Sequence, residues 1–257
     1  MPELLRGAVR LHYQLAGRGR ALVCIHGNSC DLGFFAPQAA YFATAHAVLS
    51  VDLRGHGQSD KPVWDYTVHG LAEDVAWLCG ELGIDRAVLI GHSLGGAVAV
   101  QVAARYPGLA VGVAALDSAL APQPGRPSRL TALLGGLRGP DYLGYVRRYF
   151  ESAFGPGDDP AVKEDILRRI CATPQHVMVS LFEHAGRWDW QTALSSLEVP
   201  LLYLMAQRPR GDLVRLAELA PGLITGQTVG SGHFMTLLVP AQVNAMLARF
   251  LEMIGWT

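Results

Sequence analysis

Ser93 stands in Gly91-His92-Ser93-Leu94-Gly95-Gly96, after an apolar, β-rich run at residues 87–90 and before a helix-favouring run at 97–104. A strand that turns through Gly-x-Ser-x-Gly directly into a helix holds its serine in a strained backbone conformation. The glycines two before and two after it leave room for the turn. The serine oxygen is thereby lifted above the sheet at a helix N-terminus, where backbone N–H groups favour developing negative charge. The chemistry offered is nucleophilic attack on an acyl carbon.

A serine hydroxyl is a poor nucleophile at neutral pH and needs a positioned base. His233, in Gly230-Ser231-Gly232-His233-Phe234, is the candidate, because its glycine-rich loop follows the last predicted strand. A third element is read at His26-Gly27-Asn28, after the apolar run 21–25. A loop in that place supplies one backbone N–H to a tetrahedral oxyanion, and the residue after the nucleophile supplies another. The expected donors are the N–H groups of Asn28 and Leu94, with His26 bracing the loop.

These residues need a frame, and the chain alternates strand and helix from residue 21 onward. Residues 9–15 read as an early antiparallel strand. Short apolar runs at 21–25, 46–51, 87–90 and 111–116 read as strands buried on both faces of a parallel sheet. Helical patterns fall between them at 35–43, 68–82 and 94–106. Residues 119–196 break the alternation. They open with the proline-rich link 121–127 and continue as amphipathic helices at 142–154, 161–171 and 175–185. Alternation resumes with a strand at 200–206, a helix near 213–220, a strand near 224–229 and a closing helix at 239–254. The expected fold is α/β, a mostly parallel sheet flanked by helices, with a helical cap inserted after the sixth strand. The core is expected in residues 1–118 and 197–257, and the cap in 119–196.

The bulk properties fit that frame. The chain has 257 residues, half of them hydrophobic and 17% charged, which suits one globular domain with a large core. A net charge of −1 gives no electrostatic reason to expect nucleic acid as a partner. Two lysines accompany nineteen scattered arginines that form no basic stripe. Cys24, Cys30, Cys79 and Cys171 match neither a metal site nor a disulfide framework, so reduced thiols are expected. The opening residues lack the features of a signal peptide, and no apolar run approaches the ~18 residues of a membrane span. A cytoplasmic chain with no membrane partner is expected.

Taken together, His26-Gly27-Asn28, Asp52-Leu53-Arg54-Gly55-His56-Gly57-Gln58-Ser59-Asp60, Gly91–Gly96 and Gly232-His233-Phe234 resemble the α/β-hydrolase superfamily in order and spacing. The resemblance spans nearly the whole chain outside the cap. It implies the fold of that superfamily and gives the Asp52–Asp60 turn a structural role. Most members place a carboxylate, which orients the catalytic histidine, just after the strand matching 201–206. Here that slot falls near Pro209, in Gln207-Arg208-Pro209-Arg210-Gly211-Asp212. Asp212 comes about three residues late and reads as a helix N-cap. Other members, certain haloalkane dehalogenases included, place the acid after the strand matching 111–116, where this chain has Asp117. The expected triad is Ser93, His233 and Asp117, with Asp212 or a Ser–His dyad as alternatives.

A serine in place of the aspartate nucleophile of related dehalogenases and epoxide hydrolases implies acyl transfer. The expected activity is hydrolysis of a small, fairly apolar carboxylic ester through an acyl-enzyme, with no metal or other cofactor. C–C bond hydrolase, lactonase, perhydrolase and acyltransferase chemistry fit the same residues, as does a ligand-binding protein with little turnover. Phe34 and Phe35 are expected to line the substrate pocket. The aromatic residues at 142–154 and the apolar face at 177–182 are read mainly as packing between cap helices. Arg147-Arg148 and Arg168-Arg169 are read as solvated faces.

Overall fold

The computed structural model describes residues 2–122 and 127–257. The centre of the proline-rich link, Gln123-Pro124-Gly125-Arg126, lies outside the described residues. Along the chain the strands are β1 (Glu3–Arg6), β2 (Val9–Ala16), β3 (Ala21–Ile25), β4 (Ala47–Val51), β5 (Ala87–His92), β6 (Ala110–Leu116), β7 (Leu201–Met205) and β8 (Leu223–Gln227). The helices are α1 (Ala36–Phe42), α2 (Val68–Glu81), α3 (Leu94–Arg105), α4 (Pro127–Leu137), α5 (Tyr142–Glu151), α6 (Pro160–Ile170), α7 (Gln175–Ala185), α8 (Trp190–Ser195), α9 (Leu213–Leu219), α10 (Met235–Leu238) and α11 (Pro240–Met253).

The strands form one sheet in the order β1-β2-β4-β3-β5-β6-β7-β8. The first two are antiparallel to their neighbours and the rest pair in parallel. Strands β3, β5 and β7 are buried at every position, as expected where helices cover both faces. One core cluster packs α2 and α3 on one face of the sheet, through Leu71, Val75, Val98 and Val102. A second packs α11 on the other face, through Val243, Leu247 and Phe250. Among the described residues, no helix is long and apolar enough to cross a membrane.

Strand β1 is not foreseen from the sequence. It makes a hairpin with β2 across Gly7, whose φ of +63° suits a glycine turn. Helices α4 and α8 are also additions to the sequence reading. With α5, α6 and α7 they fill the connection between β6 and β7, where no strand occurs among the described residues. Helices α4 to α7 meet around Val146, Ile166, Ile170 and Met178, in a cluster that also takes in Phe34 and Phe234, whereas α8 packs Ala193 and Leu194 into the first cluster.

The topology converges on the carboxyl end of β5. Strands β3 and β6 flank β5, with Gly91 opposite Ile25 on one side and Ala115 on the other. The loop after β3 and the loop after β6 therefore both meet the turn that carries Ser93. In open parallel sheets the crevice beyond the carboxyl ends of the strands is where ligands bind.

Candidate active site

Ser93 adopts φ +53° and ψ −116° between β5 and α3, a strained conformation for a residue with a side chain. The Ser93 N–H donates to the Leu116 carbonyl at 2.9 Å, which pins the turn to the neighbouring strand. The flanking glycines are required sterically. A Cβ on Gly91 would run into the Gly95 carbonyl, and one on Gly95 into the Ile25 carbonyl. Leu94 is the first residue of α3, so its N–H has no acceptor within the helix.

Against this turn lies the loop after β3. A Cβ on Gly27 would sit 3.1 Å from the Ser93 Cβ, so only a bare backbone approaches this closely. The loop is shaped by Ser29 at φ +61° and by a 2.9 Å hydrogen bond from its hydroxyl to Asn28 Oδ1. His26 is fully buried. Its Nδ1 donates to the Gly27 carbonyl at 2.8 Å, and its Nε2 accepts from the Leu53 N–H at 3.0 Å. Burial pushes the His26 imidazole below its ordinary pKa, which suits a neutral ring that ties two loops together.

Asp117 follows β6 at φ +45°, and its N–H donates to the Leu204 carbonyl at 2.7 Å. Its Oδ2 lies 2.6 Å from His233 Nδ1, while Oδ1 accepts from the Ala206 N–H at 3.0 Å. Burial opposes the Asp117 charge. Hydrogen bonding and charge from His233, the Ala206 N–H and the Arg210 guanidinium outweigh it and hold the carboxyl below its ordinary pKa. Asp212 is not in this group: its carboxylate caps α9, accepting from the Val214 and Arg215 N–H groups.

His233 is held from several sides. Its N–H donates to the Ala153 carbonyl at 2.8 Å, and its own carbonyl is 2.8 Å from His92 Nε2. The His92 ring also packs on the His233 ring, with centroids 4.5 Å apart. Burial pushes His92 down to about 3, so it serves as a neutral donor to the loop. For His233, burial and then the Arg210 charge lower the pKa, against the raising effect of Asp117. The result is a ring whose neutral form is favoured.

Ser93, His233, Asn28 and Leu94 line one cavity of about 460 Å³. Its roof comes from the helices between β6 and β7, chiefly Tyr149, Phe150, Leu181 and Phe182, with Trp188 at the side. Phe34 and Phe35 do not line it, contrary to expectation. Phe34 turns into the core of the overlying helices and Phe35 into the core beneath α1 and α11, both with no exposed surface. Adjacent aromatic residues on the turn before α1 point in different directions, and neither direction is toward the serine. Tyr142 donates to the Thr173 carbonyl instead of facing the cavity, in keeping with a packing role.

Two arginines differ from the sequence reading. Arg169 is not on a solvated face. Its Nε donates to Asp31 Oδ2 at 2.9 Å, and its guanidinium lies over the Phe34 ring at 4.2 Å, joining α6 to the loop after β3. Arg210, to which the sequence assigned nothing, reaches both partners of the Asp117–His233 pair. Its position beside the expected acid slot was the available signal.

These features place the chain among α/β proteins whose chemistry sits at the carboxyl ends of parallel strands. It matches the model of the alpha/beta hydrolase fold over residues 20–156, more than half its length, and belongs to that family. A 2-(acetamidomethylene)succinate hydrolase from Mesorhizobium japonicum is 36% identical over 111 residues; the match covers 43% of this chain and 40% of that relative. The chain thus spans less than half the length of that curated relative. Among solved structures, Est816, described as an N-acyl homoserine lactone degrading enzyme, is 27% identical, with a TM-score of 0.85 and coverage of 97% of this chain and 100% of that one. A putative aryl esterase from Burkholderia cenocepacia is 25% identical, with a TM-score of 0.83 and coverage of 97% and 96%.

Proposed function

We propose that this chain is a serine hydrolase that cleaves carboxylic esters, lactones included, through an acyl-enzyme. The observation that carries the reading is the sharing of one cavity by the strained Ser93, His233, the loop residue Asn28 and Leu94 at the start of α3. In this mechanism His233 Nε2 takes the Ser93 proton as the oxygen attacks the carbonyl carbon. The Asn28 and Leu94 N–H groups receive the oxyanion. Asp117 keeps the His233 proton on Nδ1 and stabilises the imidazolium as it forms. The imidazolium then protonates the leaving alcohol oxygen. Water, deprotonated by His233, attacks the acyl-enzyme, and Ser93 regains its proton as the acid leaves.

Residues 119–196 act in this reading as the cap, with Tyr149, Phe150, Leu181 and Phe182 forming an apolar roof over the acyl group. The names of the aryl esterase and of the lactone-degrading enzyme support ester and lactone substrates. The test is hydrolysis of short p-nitrophenyl esters and of simple lactones by the wild type and by Ser93→Ala. Turnover that disappears in Ser93→Ala is expected. Turnover that survives the substitution contradicts the assignment.

A further inference from the structure

Among the described residues lining the cavity, Arg210 alone carries a permanent charge. It also lines a second cavity of about 480 Å³ behind the Asp117–His233 pair, so it stands at the boundary of the two. Its backbone is fixed. The Arg210 N–H donates to the Tyr203 hydroxyl at 3.2 Å, and that buried hydroxyl donates to the Ser118 carbonyl at 2.8 Å. The next turn is tied to the other wall by the Asp212 N–H, which donates to the Ala121 carbonyl at 2.8 Å. The side chain is 40% exposed, so the guanidinium is anchored at its base and reaches solvent toward its tip.

Arg210 Nη1 lies 2.9 Å from His233 Nδ1 and 3.5 Å from Asp117 Oδ2. Asp117 Oδ2 approaches the same ring nitrogen at 2.6 Å. One nitrogen cannot serve both neighbours. It meets Asp117 by donating a proton, and it meets an arginine N–H only by accepting one. If Nδ1 accepts from Arg210, the ring proton sits on Nε2 and His233 cannot deprotonate Ser93. If Nδ1 donates to Asp117, the arginine N–H faces another N–H. The guanidinium therefore competes with the catalytic tautomer, and its Nε and Nη2 find no acceptor among the described residues.

We propose that Arg210 is the anchor for an anionic group on the substrate, a carboxylate beside the scissile ester, and that binding this group draws the guanidinium off His233 Nδ1. The proposal rests on the ester-hydrolase reading above and specifies its substrate class. A guanidinium offers two parallel N–H groups to a carboxylate, a geometry that a neutral ester cannot use. The remaining lining is apolar or neutral, so one end of the cavity would take the charge and the roof would take the carbon chain. The Arg210 charge also lowers the His233 pKa, in keeping with a close approach to the ring in the free enzyme.

The test compares monoethyl succinate with ethyl butyrate, which differ by one carboxylate in place of a methyl group. The wild type is expected to favour the succinate ester in kcat/KM. Arg210→Met should lower the ratio of the two values by about tenfold or more, as a lost charge-assisted contact does, while Arg210→Lys should retain part of the preference. An unchanged ratio in a folded Arg210→Met, with hydrolysis still dependent on Ser93, overturns the anchor and leaves the hydrolase reading intact. Hydrolysis that Ser93→Ala does not abolish fells the hydrolase reading, and the anchor with it. Inhibition of wild-type ethyl butyrate hydrolysis tests the anchor without any variant. Succinate should inhibit at least tenfold more strongly than neutral succinamide at matched ionic strength, and equal potency overturns the proposal.

Discussion

Two buried aspartate–histidine pairs lie in this molecule with almost the same geometry. His12 Nδ1 is 2.7 Å from Asp52 Oδ2, and His233 Nδ1 is 2.6 Å from Asp117 Oδ2. Their surroundings differ. Asp52 also accepts from the Leu32 and Gln58 N–H groups, at 2.7 and 2.8 Å, and Ser59 joins the cluster through the His12 N–H. It ties β2, the turn after β4 and the start of the loop toward α1 into one knot. The far nitrogen of His12 is sealed in the interior without a partner among the described residues. The His233 ring instead borders the cavity that holds Ser93. An Asp–His pair is thus no mark of catalysis by itself; the two differ in what lies beyond the ring, a sealed interior for His12 and a cavity for His233.

The contrast is broken most sharply by Asp117→Asn. On the triad reading the wrong His233 tautomer should lower kcat on the order of 10³–10⁴-fold. The melting temperature should fall by less than in the other pair, because the folded chain also favours the Asp117 charge, and steady-state kinetics beside a thermal scan would check both. The matching change in the other pair should do the reverse. Asp52→Asn removes the charge that two backbone N–H groups and His12 address, and should cost about 3 kcal/mol or more of stability. Urea unfolding would read that loss, while the folded fraction retains its turnover per active site. Equal losses of turnover from the two substitutions would erase the distinction.

Smaller effects sharpen it. Asp212→Ala removes the N-cap of α9 and should cost about 1 kcal/mol, with kcat within about twofold of the wild type by the capping role alone. A large loss of kcat there would move the acid from Asp117 to Asp212. The pH profile gives the finest test. His233 must be unprotonated to act, and its pKa lies below the ordinary histidine value of about 6.5. Activity should therefore be retained as pH falls through 6.5 and be lost only below it, on the acid limb of kcat/KM. An acid limb above the ordinary value would contradict the burial of His233 as a neutral base.

The elbow was legible because its signal is local: two glycines at fixed offsets from Ser93, an apolar run before them and a helix after. The parallel strands were legible because burial on both faces leaves unbroken apolar runs. Strand β1 was not, since Glu3–Arg6 is short and at most half-buried and owes its pairing to β2. Phe34 and Phe35 misled because proximity in sequence to Asn28 says nothing of side-chain direction. Arg169 could not be read either, and for Arg210 the signal was no more than its place beside the expected acid slot. Their partners, Asp31 and the Asp117–His233 pair, are distant in sequence and meet them only through the packing of whole elements.

The central claim is that Ser93 is an activated nucleophile, and a fluorophosphonate tests it without knowledge of the substrate. Intact-mass measurement after exposure should find one adduct per wild-type chain, mapped to Ser93, and none on Ser93→Ala. A folded wild type that stays unlabelled, or an adduct that persists on Ser93→Ala, would contradict the account.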